Sequence, residues 1–204
     1  MAHAPRGLYL LTPDEPDTDR LLARTRPLLA HVAWLQYRNK AACDDLRREQ
    51  ATALAGLCGD TGTPLIVNDD AALALDVGAT GVHLGRDDAG PADARRVHGA
   101  ALVVGVSCYD SLARAAQAAA AGADYLAFGA FFPSPTKPGA PRAGVALLRE
   151  AARFGLPRVA IGGITPDNAP ALVAAGADLV AAITGVYDAD DPVAAARAYA
   201  ACFD

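Results

Sequence analysis

Short apolar runs alternate with longer alanine-rich segments along the whole chain, and this alternation restricts the fold more than any other feature. Eight runs can be counted, at residues 7–11, 32–37, 64–67, 81–84, 102–106, 125–128, 158–161 and 179–183. Most are apolar throughout rather than alternating in polarity, which is typical of parallel strands covered on both faces. Segments such as 110–121 and 166–175 fit as helices between the runs.

One unit recurs at three of the predicted helix-to-strand connections. Residues 77–82, 121–126 and 175–180 each read as a helix end, a glycine and the start of a strand, and the glycines are Gly78, Gly122 and Gly176. Glycine at that position favours a left-handed helix terminus. Repeated connections of one type, with no dinucleotide-binding glycine pattern after the first strand, favour a closed (β/α)8 TIM barrel over a doubly wound sheet. We therefore predict a single catalytic domain over residues 1–204.

Composition narrows the class of protein. Apolar residues make up 52% of the chain, charged residues 20%, and the formal net charge is −5. These values exclude a disordered chain and argue against a nucleic-acid binder, which would need a basic surface. No apolar stretch reaches membrane-spanning length, the N-terminal segment does not read as a signal peptide, and the four cysteines lack zinc-site spacing. We expect a cytoplasmic protein with reduced thiols and small-molecule ligands; the sequence is compatible with a homo-oligomer.

Polar side chains follow the second apolar run. Gln36, Arg38 and Lys40 alternate, so in an extended segment they project from one side. An arginine fork beside a lysine point charge suits an anion. The same residues also fit a solvated strand end.

Acidic residues follow the third and fourth runs. Asn68, Asp69 and Asp70 end the third, and Asp87 and Asp88 come shortly after the fourth. Two carboxylates facing an anion clamp would hold Mg2+, which takes few protein carboxylates and completes its shell with water and phosphate oxygens. The alternative is that the acids cap helices or face solvent.

The later strand ends carry groups suited to a phosphate. Ser107 follows the fifth run, as a ligand contact or a helix cap, and the proline-rich loop after the sixth offers Ser134, Thr136 and Lys137. Gly162 and Gly163 follow the seventh run, where Thr165 and Pro166 read as the N-cap and first residue of a helix. Ile183 and Thr184 end the eighth. Loops after strands seven and eight commonly bind phosphate in such barrels. His83 reads as a packed or rim histidine rather than a general base.

Taken together and in order, these segments resemble the thiamine phosphate synthase family. The matching pieces are residues 8–12, 36–40, 67–70, 81–88, 105–107, 123–137 and 161–164. The resemblance spans nearly the whole chain, and its specificity lies in the order of the pieces. Departures from the family's usual pattern occur at Arg86, at Cys108 and Tyr109, and at Ser134 and Thr184, where each of the last two keeps a hydroxyl.

The resemblance implies a TIM-barrel transferase that joins a hydroxymethylpyrimidine diphosphate to a thiazole (carboxylate) phosphate and releases pyrophosphate, with Mg2+ as cofactor. It implies that Asp69 and Asp88 bind the metal and that Ser107 contacts the pyrimidine. The implied diphosphate contacts are Gln36, Arg38, Lys40, Asn68 and Lys137. The implied thiazole phosphate contacts are Ser134, Thr136, Gly163, Ile183 and Thr184. Catalysis would fall to Arg38, Lys40, Lys137 and Ser107.

Three other interpretations stay open from the sequence. A related thiazole tautomerase should carry a histidine after the sixth strand, where this chain has Ala130. A non-catalytic phosphate-binding barrel would not need the cations and acids together. A phosphosugar isomerase or synthase barrel should show a Cys–Asp or Glu–Lys pair, which the strand ends lack.

Overall fold

The computed structural model describes residues 5–86, 88, 90–133 and 142–204. Within these ranges eight parallel strands close into a barrel, each paired with its neighbours in chain order and the last with the first. They are β1 (Gly7–Leu11), β2 (Trp34–Tyr37), β3 (Leu65–Asn68), β4 (Gly81–Leu84), β5 (Val103–Tyr109), β6 (Tyr125–Phe128), β7 (Arg158–Ile161) and β8 (Leu179–Ala182). This confirms the predicted (β/α)8 barrel, with strand boundaries within three residues of the apolar runs.

Helices lie between the strands. They are α1 (Thr18–Thr25), α2 (Asp44–Thr61), α3 (Ala71–Asp76), α4 (Pro91–His98), α5 (Leu112–Ala120), α6 (Ala146–Ala151), α7 (Ala169–Ala174), α8 (Thr184–Tyr187) and α9 (Pro192–Ala200). Short 3-10 segments occur at Arg26–His31, Ala152–Phe154 and Ala201–Phe203. Side-chain oxygens of Asp17, Asp70, Ser111 and Asp191 accept hydrogen bonds from the first turns of α1, α3, α5 and α9. In the part of the chain that the structure covers, none of these helices is long and apolar enough to cross a bilayer.

The repeated glycine unit forms as the sequence predicts. Gly78, Gly122 and Gly176 have φ of 67°, 91° and 99°. Each residue therefore adopts the left-handed conformation that ends a helix and turns the chain into the next strand.

Two apolar clusters build the molecule. The larger lies between the strands and the surrounding helices. The smaller fills the barrel interior with Tyr9, Leu11, Ile66, Tyr125, Ala127, Val159, Leu179 and Ala181. Gln36 and His83 are polar yet only 2% and 8% exposed, so the barrel interior also contains buried polar side chains.

Candidate functional site

Arg38 and Lys40 follow β2, and an acid from the β1 loop fixes them. The Arg38 guanidinium lies 3.3 Å from Asp14 Oδ1, and the same oxygen accepts a hydrogen bond of 2.9 Å from the Lys40 backbone N–H. Thr12 adds hydrogen bonds to both the N–H and the C=O of Arg38. The segment is therefore held as a fixed strand extension, and the Lys40 side chain stays 57% exposed.

The acids at the ends of β3 and β4 meet this segment. Lys40 Nζ lies 3.3 Å from Asp69 Oδ2, and one small cleft is lined by Arg38, Lys40, Asn68 and Asp69. Asp69 has a φ of 66°, and its N–H donates to the His83 carbonyl at 2.8 Å, which ties β3 to β4 at this edge. The structure thus brings the predicted cations and one predicted acid to the same place.

Asp88 approaches Asp69 from the neighbouring loop. Its Oδ2 accepts a hydrogen bond of 2.6 Å from the Gly85 N–H. Burial raises the pKa of Asp88, and the hydrogen bond that it shares with Asp69 raises the pKa further. Two carboxyl groups in contact repel each other when both are ionised, and a divalent cation between them removes that repulsion.

Asp70 does not join this pair. Its side chain accepts a hydrogen bond of 2.8 Å from the Leu73 N–H and caps α3. The capping alternative is therefore correct for Asp70. Asp87 lies outside the described residues.

Ser107 lies in β5 and faces the barrel mouth. Its Oγ is 2.9 Å from His83 Nε2, and His83 Nδ1 is 2.9 Å from the Tyr125 hydroxyl. Tyr125 in turn contacts the Tyr9 hydroxyl at 2.8 Å, which accepts from Gln36 Nε2 at 2.7 Å. Ser107 and Gln36 are therefore the two ends of one polar chain through the interior. The interpretation of His83 as a packed rim histidine agrees with its burial and these two contacts.

The paired glycines after β7 have a packing role that the sequence did not predict. A Cβ on Gly163 would lie 2.2 Å from the Pro133 carbonyl oxygen, and one on Gly162 would lie 2.5 Å from Ala130 Cβ. Both residues also have positive φ, 102° and 61° for Gly162 and Gly163. The glycines let residues 130–133, which follow β6, pack against the turn after β7, where the sequence predicts a phosphate site.

α7 is assigned from Ala169, three residues after the start predicted at Pro166. Thr165 nevertheless makes the contacts of an N-cap: its carbonyl accepts a hydrogen bond of 2.9 Å from the Ala169 N–H, and its N–H donates to the Asn168 side chain at 2.9 Å. Ile183 and Thr184 stand at the end of β8, with Thr184 exposed as the first residue of α8. Ser134, Thr136 and Lys137 lie outside the described residues.

Two of the departures from the family pattern, Arg86 and Tyr109, pack against each other. The Arg86 guanidinium lies 4.7 Å from the centre of the Tyr109 ring, and that of Arg114 lies 5.5 Å from it. Tyr109 has a φ of 56°, and the β5–β6 register shifts between Ser107 and Tyr109. Arg86 and Tyr109 thus form one cation–π cluster beside Ser107.

Sequence reasoning missed Asp14, Tyr9 and Tyr125. Asp14 lies in a loop with no motif, and its contacts to Arg38 and Lys40 span 24 and 26 residues. The tyrosines look like ordinary strand residues, and only the barrel closure brings Tyr9 to Tyr125 across 116 residues. Alternation within β1, which sends Tyr9 to the interior, was the one available signal.

Fold and site together define a (β/α)8 barrel that gathers cations, acids and glycine loops at the carboxyl ends of its strands, the side on which such barrels bind phosphorylated ligands. The sequence model described as "Thiamine monophosphate synthase" matches residues 8–186. The chain belongs to this family, which confirms the resemblance identified from the strand-end segments.

Individual proteins agree with the family. A thiamine-phosphate synthase of Xanthomonas campestris pv. campestris (strain 8004) is 63% identical over 198 residues, covering 97% of this chain and 96% of the relative. That of Azoarcus sp. (strain BH72) is 60% identical over 201 residues, with 97% of each covered. The solved thiamine phosphate pyrophosphorylase from Pyrococcus furiosus superposes with a TM-score of 0.86 at 31% identity, covering 98% of this chain and 96% of that one.

Proposed function

We propose that this chain is a transferase that condenses a hydroxymethylpyrimidine diphosphate with a thiazole phosphate to form thiamine phosphate and pyrophosphate. Family membership supports this activity. The observation that carries the proposal is the meeting of Arg38, Lys40 and the Asp69–Asp88 pair at adjoining strand ends. Cations beside paired acids suit a diphosphate that arrives with a divalent metal and departs as a leaving group.

The donor set fits Mg2+. Asp69 and Asp88 present carboxylates from different loops, and burial together with their contact raises the pKa of Asp88. Among the described residues no three His, Cys, Asp or Glu side chains form a ready metal cluster. Two protein carboxylates, with diphosphate and water oxygens for the rest, is a usual arrangement for Mg2+. When bound, the ion would neutralise charge on the leaving diphosphate.

The substitution needs no protein nucleophile. The bond between the pyrimidine methylene carbon and the diphosphate oxygen breaks, the electron pair leaves with pyrophosphate, and the thiazole nitrogen lone pair forms the new C–N bond. Arg38, Lys40 and Lys137 would stabilise the departing charge, with Asn68 and Gln36 completing the pyrimidine diphosphate side. Ser107 would contact the pyrimidine ring.

The second substrate would bind at the same barrel mouth, on the side formed by the carboxyl ends of β7 and β8. Gly163 and the loops after β7 and β8 would receive the thiazole phosphate through backbone N–H groups. The contacts proposed there are Ser134, Thr136, Gly163, Ile183 and Thr184. Holding both substrates at one barrel mouth supplies the alignment that a two-substrate reaction requires.

The test is pyrophosphate release by the purified protein with both substrates and Mg2+, with single-substrate and EDTA controls. We expect release only with both substrates and its loss in EDTA, restored by excess Mg2+. Release from the pyrimidine diphosphate alone would indicate hydrolysis, and no release in any mixture would contradict the synthase. Release that persists in EDTA would reject the metal assignment alone.

A further inference from the structure

A chain of five hydrogen-bonded side chains crosses the barrel interior and ends at the proposed pyrimidine site. In order the groups are Gln36, Tyr9, Tyr125, His83 and Ser107, and successive atoms are 2.7, 2.8, 2.9 and 2.9 Å apart. The first four are at most 8% exposed. Bulk water therefore does not compete with these bonds, and each hydroxyl proton must be directed at a partner.

The direction of the chain follows from its first bond. Gln36 Nε2 donates to the Tyr9 hydroxyl oxygen, so Tyr9 directs its own proton to the next hydroxyl. The Tyr125 hydroxyl lies 2.8 Å from that of Tyr9 and 2.9 Å from His83 Nδ1. If it accepts the Tyr9 proton, its own proton is left to donate to His83 Nδ1. Burial raises the pKa of both tyrosines, so both stay neutral and keep a proton to donate.

The last bond, between His83 and Ser107, determines where the Ser107 hydroxyl proton points. With Nδ1 accepting, the proton of the neutral imidazole lies on Nε2 and points at the Ser107 oxygen, 2.9 Å away. The Ser107 oxygen is then an acceptor toward His83, and its own proton is free to turn to the barrel mouth. A reversed chain would leave Ser107 donating to His83 and offering only lone pairs to a ligand.

We propose that the hydrogen bonds from Gln36 to Ser107 all run in one fixed direction. His83 is then a positioning residue that makes Ser107 a hydrogen-bond donor to the pyrimidine ligand. As a donor, Ser107 would select an acceptor atom of the ligand, such as a nitrogen of the pyrimidine ring. It would not select an amino group on that ring, which is itself a donor. The identity of the ligand rests on the proposed function, whereas the direction of the chain does not.

The direction is tested by the nitrogen spectrum of the histidine rings in the full, unaltered 15N-labelled protein, with His83 assigned by comparison with His83→Gln. We expect His83 at neutral pH to be the tautomer protonated on Nε2 alone. A ring that carries its proton on Nδ1, alone or together with one on Nε2, overturns the proposal. This measurement needs no substrate, so it stands whether or not the protein proves to be a synthase.

The positioning role is tested by a double-mutant cycle of Tyr125→Phe and Ser107→Ala. Tyr125→Phe removes the hydroxyl that contacts both His83 Nδ1 and the Tyr9 hydroxyl. We expect each single variant to raise the KM for the pyrimidine diphosphate about threefold to tenfold, the value of one hydrogen bond, with little change in the KM for the thiazole phosphate. In the Ser107→Ala background Tyr125→Phe should have no further effect, because it acts through Ser107.

Tyr187→Phe is the matched control. It removes another buried tyrosine hydroxyl, which lies 2.8 Å from Thr25 and takes no part in the hydrogen bonds between Gln36 and Ser107. It should leave the KM for the pyrimidine diphosphate and the His83 spectrum unchanged. Equal effects of Tyr125→Phe with and without Ser107 would overturn the positioning role. If Tyr125→Phe fails to fold, the tautomer of the unaltered protein still decides the direction.

Discussion

Asp69 and Asp70 are adjacent acids with different surroundings. Asp69 faces Lys40 and Asp88 and has a left-handed backbone with a φ of 66°. Asp70 caps α3 through the Leu73 N–H. The sequence predicted acids at this rim but left open which would be caps, because capping depends on where α3 begins.

The Asp69→Asn variant tests the metal assignment without disturbing the backbone, because asparagine tolerates the left-handed region. We expect turnover to fall about a hundredfold or more at fixed Mg2+, with the half-saturating Mg2+ concentration raised, since one ligand charge is lost. The control is Asp70→Asn, which preserves the N-cap and should match the unaltered enzyme in turnover and Tm. Equal activity in all three proteins would refute the assignment of Asp69.

At the scale of elements, two of the repeated glycine units are followed by an aspartate that holds the neighbouring, preceding strand by hydrogen bonds. Asp178 Oδ2 accepts hydrogen bonds from Arg158 N and Nε at 2.8 and 3.3 Å. Asp124 Oδ2 similarly accepts from Val104 N at 2.7 Å. The third unit has Thr80 at this position, whose backbone N–H donates to the Leu65 carbonyl and whose carbonyl accepts from the Val103 N–H. The acid therefore fastens the amino ends of β5 and β7 to the strands that follow them.

Asp178→Ala should lower the free energy of unfolding by about 1–3 kcal/mol, because it leaves the Arg158 backbone N–H and the mostly buried Arg158 Nε–H without their acceptor. Denaturant titration measures the change. Asp188→Ala is the comparison, as that acid is 63% exposed and contacts Arg24 at 3.5 Å. Its effect should stay within about 0.5 kcal/mol. Similar losses in both variants would mean that the strand contact contributes nothing particular.

The contact between the β6 and β7 loops is tested by Gly163→Ala. The new Cβ would meet the Pro133 carbonyl at 2.2 Å, at a φ of 61°, so we expect a loss of about 2 kcal/mol or more and weaker thiazole phosphate binding. Gly59→Ala, on the exposed side of α2 with open space around it, should instead stabilise by about 0.5–1 kcal/mol. Calorimetry on both variants separates loop strain from a general effect of added methyl groups.

Over the whole molecule, local patterns predicted what depends on local geometry. Apolar runs located the strands, and the left-handed glycines fixed the helix ends. Ser107 was found as a strand-end hydroxyl, but its partner His83 was interpreted only as a packed or rim histidine. Tyr9 and Tyr125 were missed because their bond exists only once the barrel closes. The sequence therefore predicted the rim of the site better than the buried groups beneath it.

The stability of the whole barrel should fall at alkaline pH, and Cys58 on α2 provides the test. Burial raises the pKa of the Cys58 thiol from 9.0 to about 11. The folded state thus favours the neutral thiol, so its stabilisation is full below pH 9 and is lost as pH rises toward 11. The linked loss is about 2 kcal/mol by pH 11. Denaturant titrations at pH 8 and 11 should show a smaller loss in Cys58→Ala than in Cys43→Ala, whose thiol is exposed; equal losses would exclude Cys58 as a source.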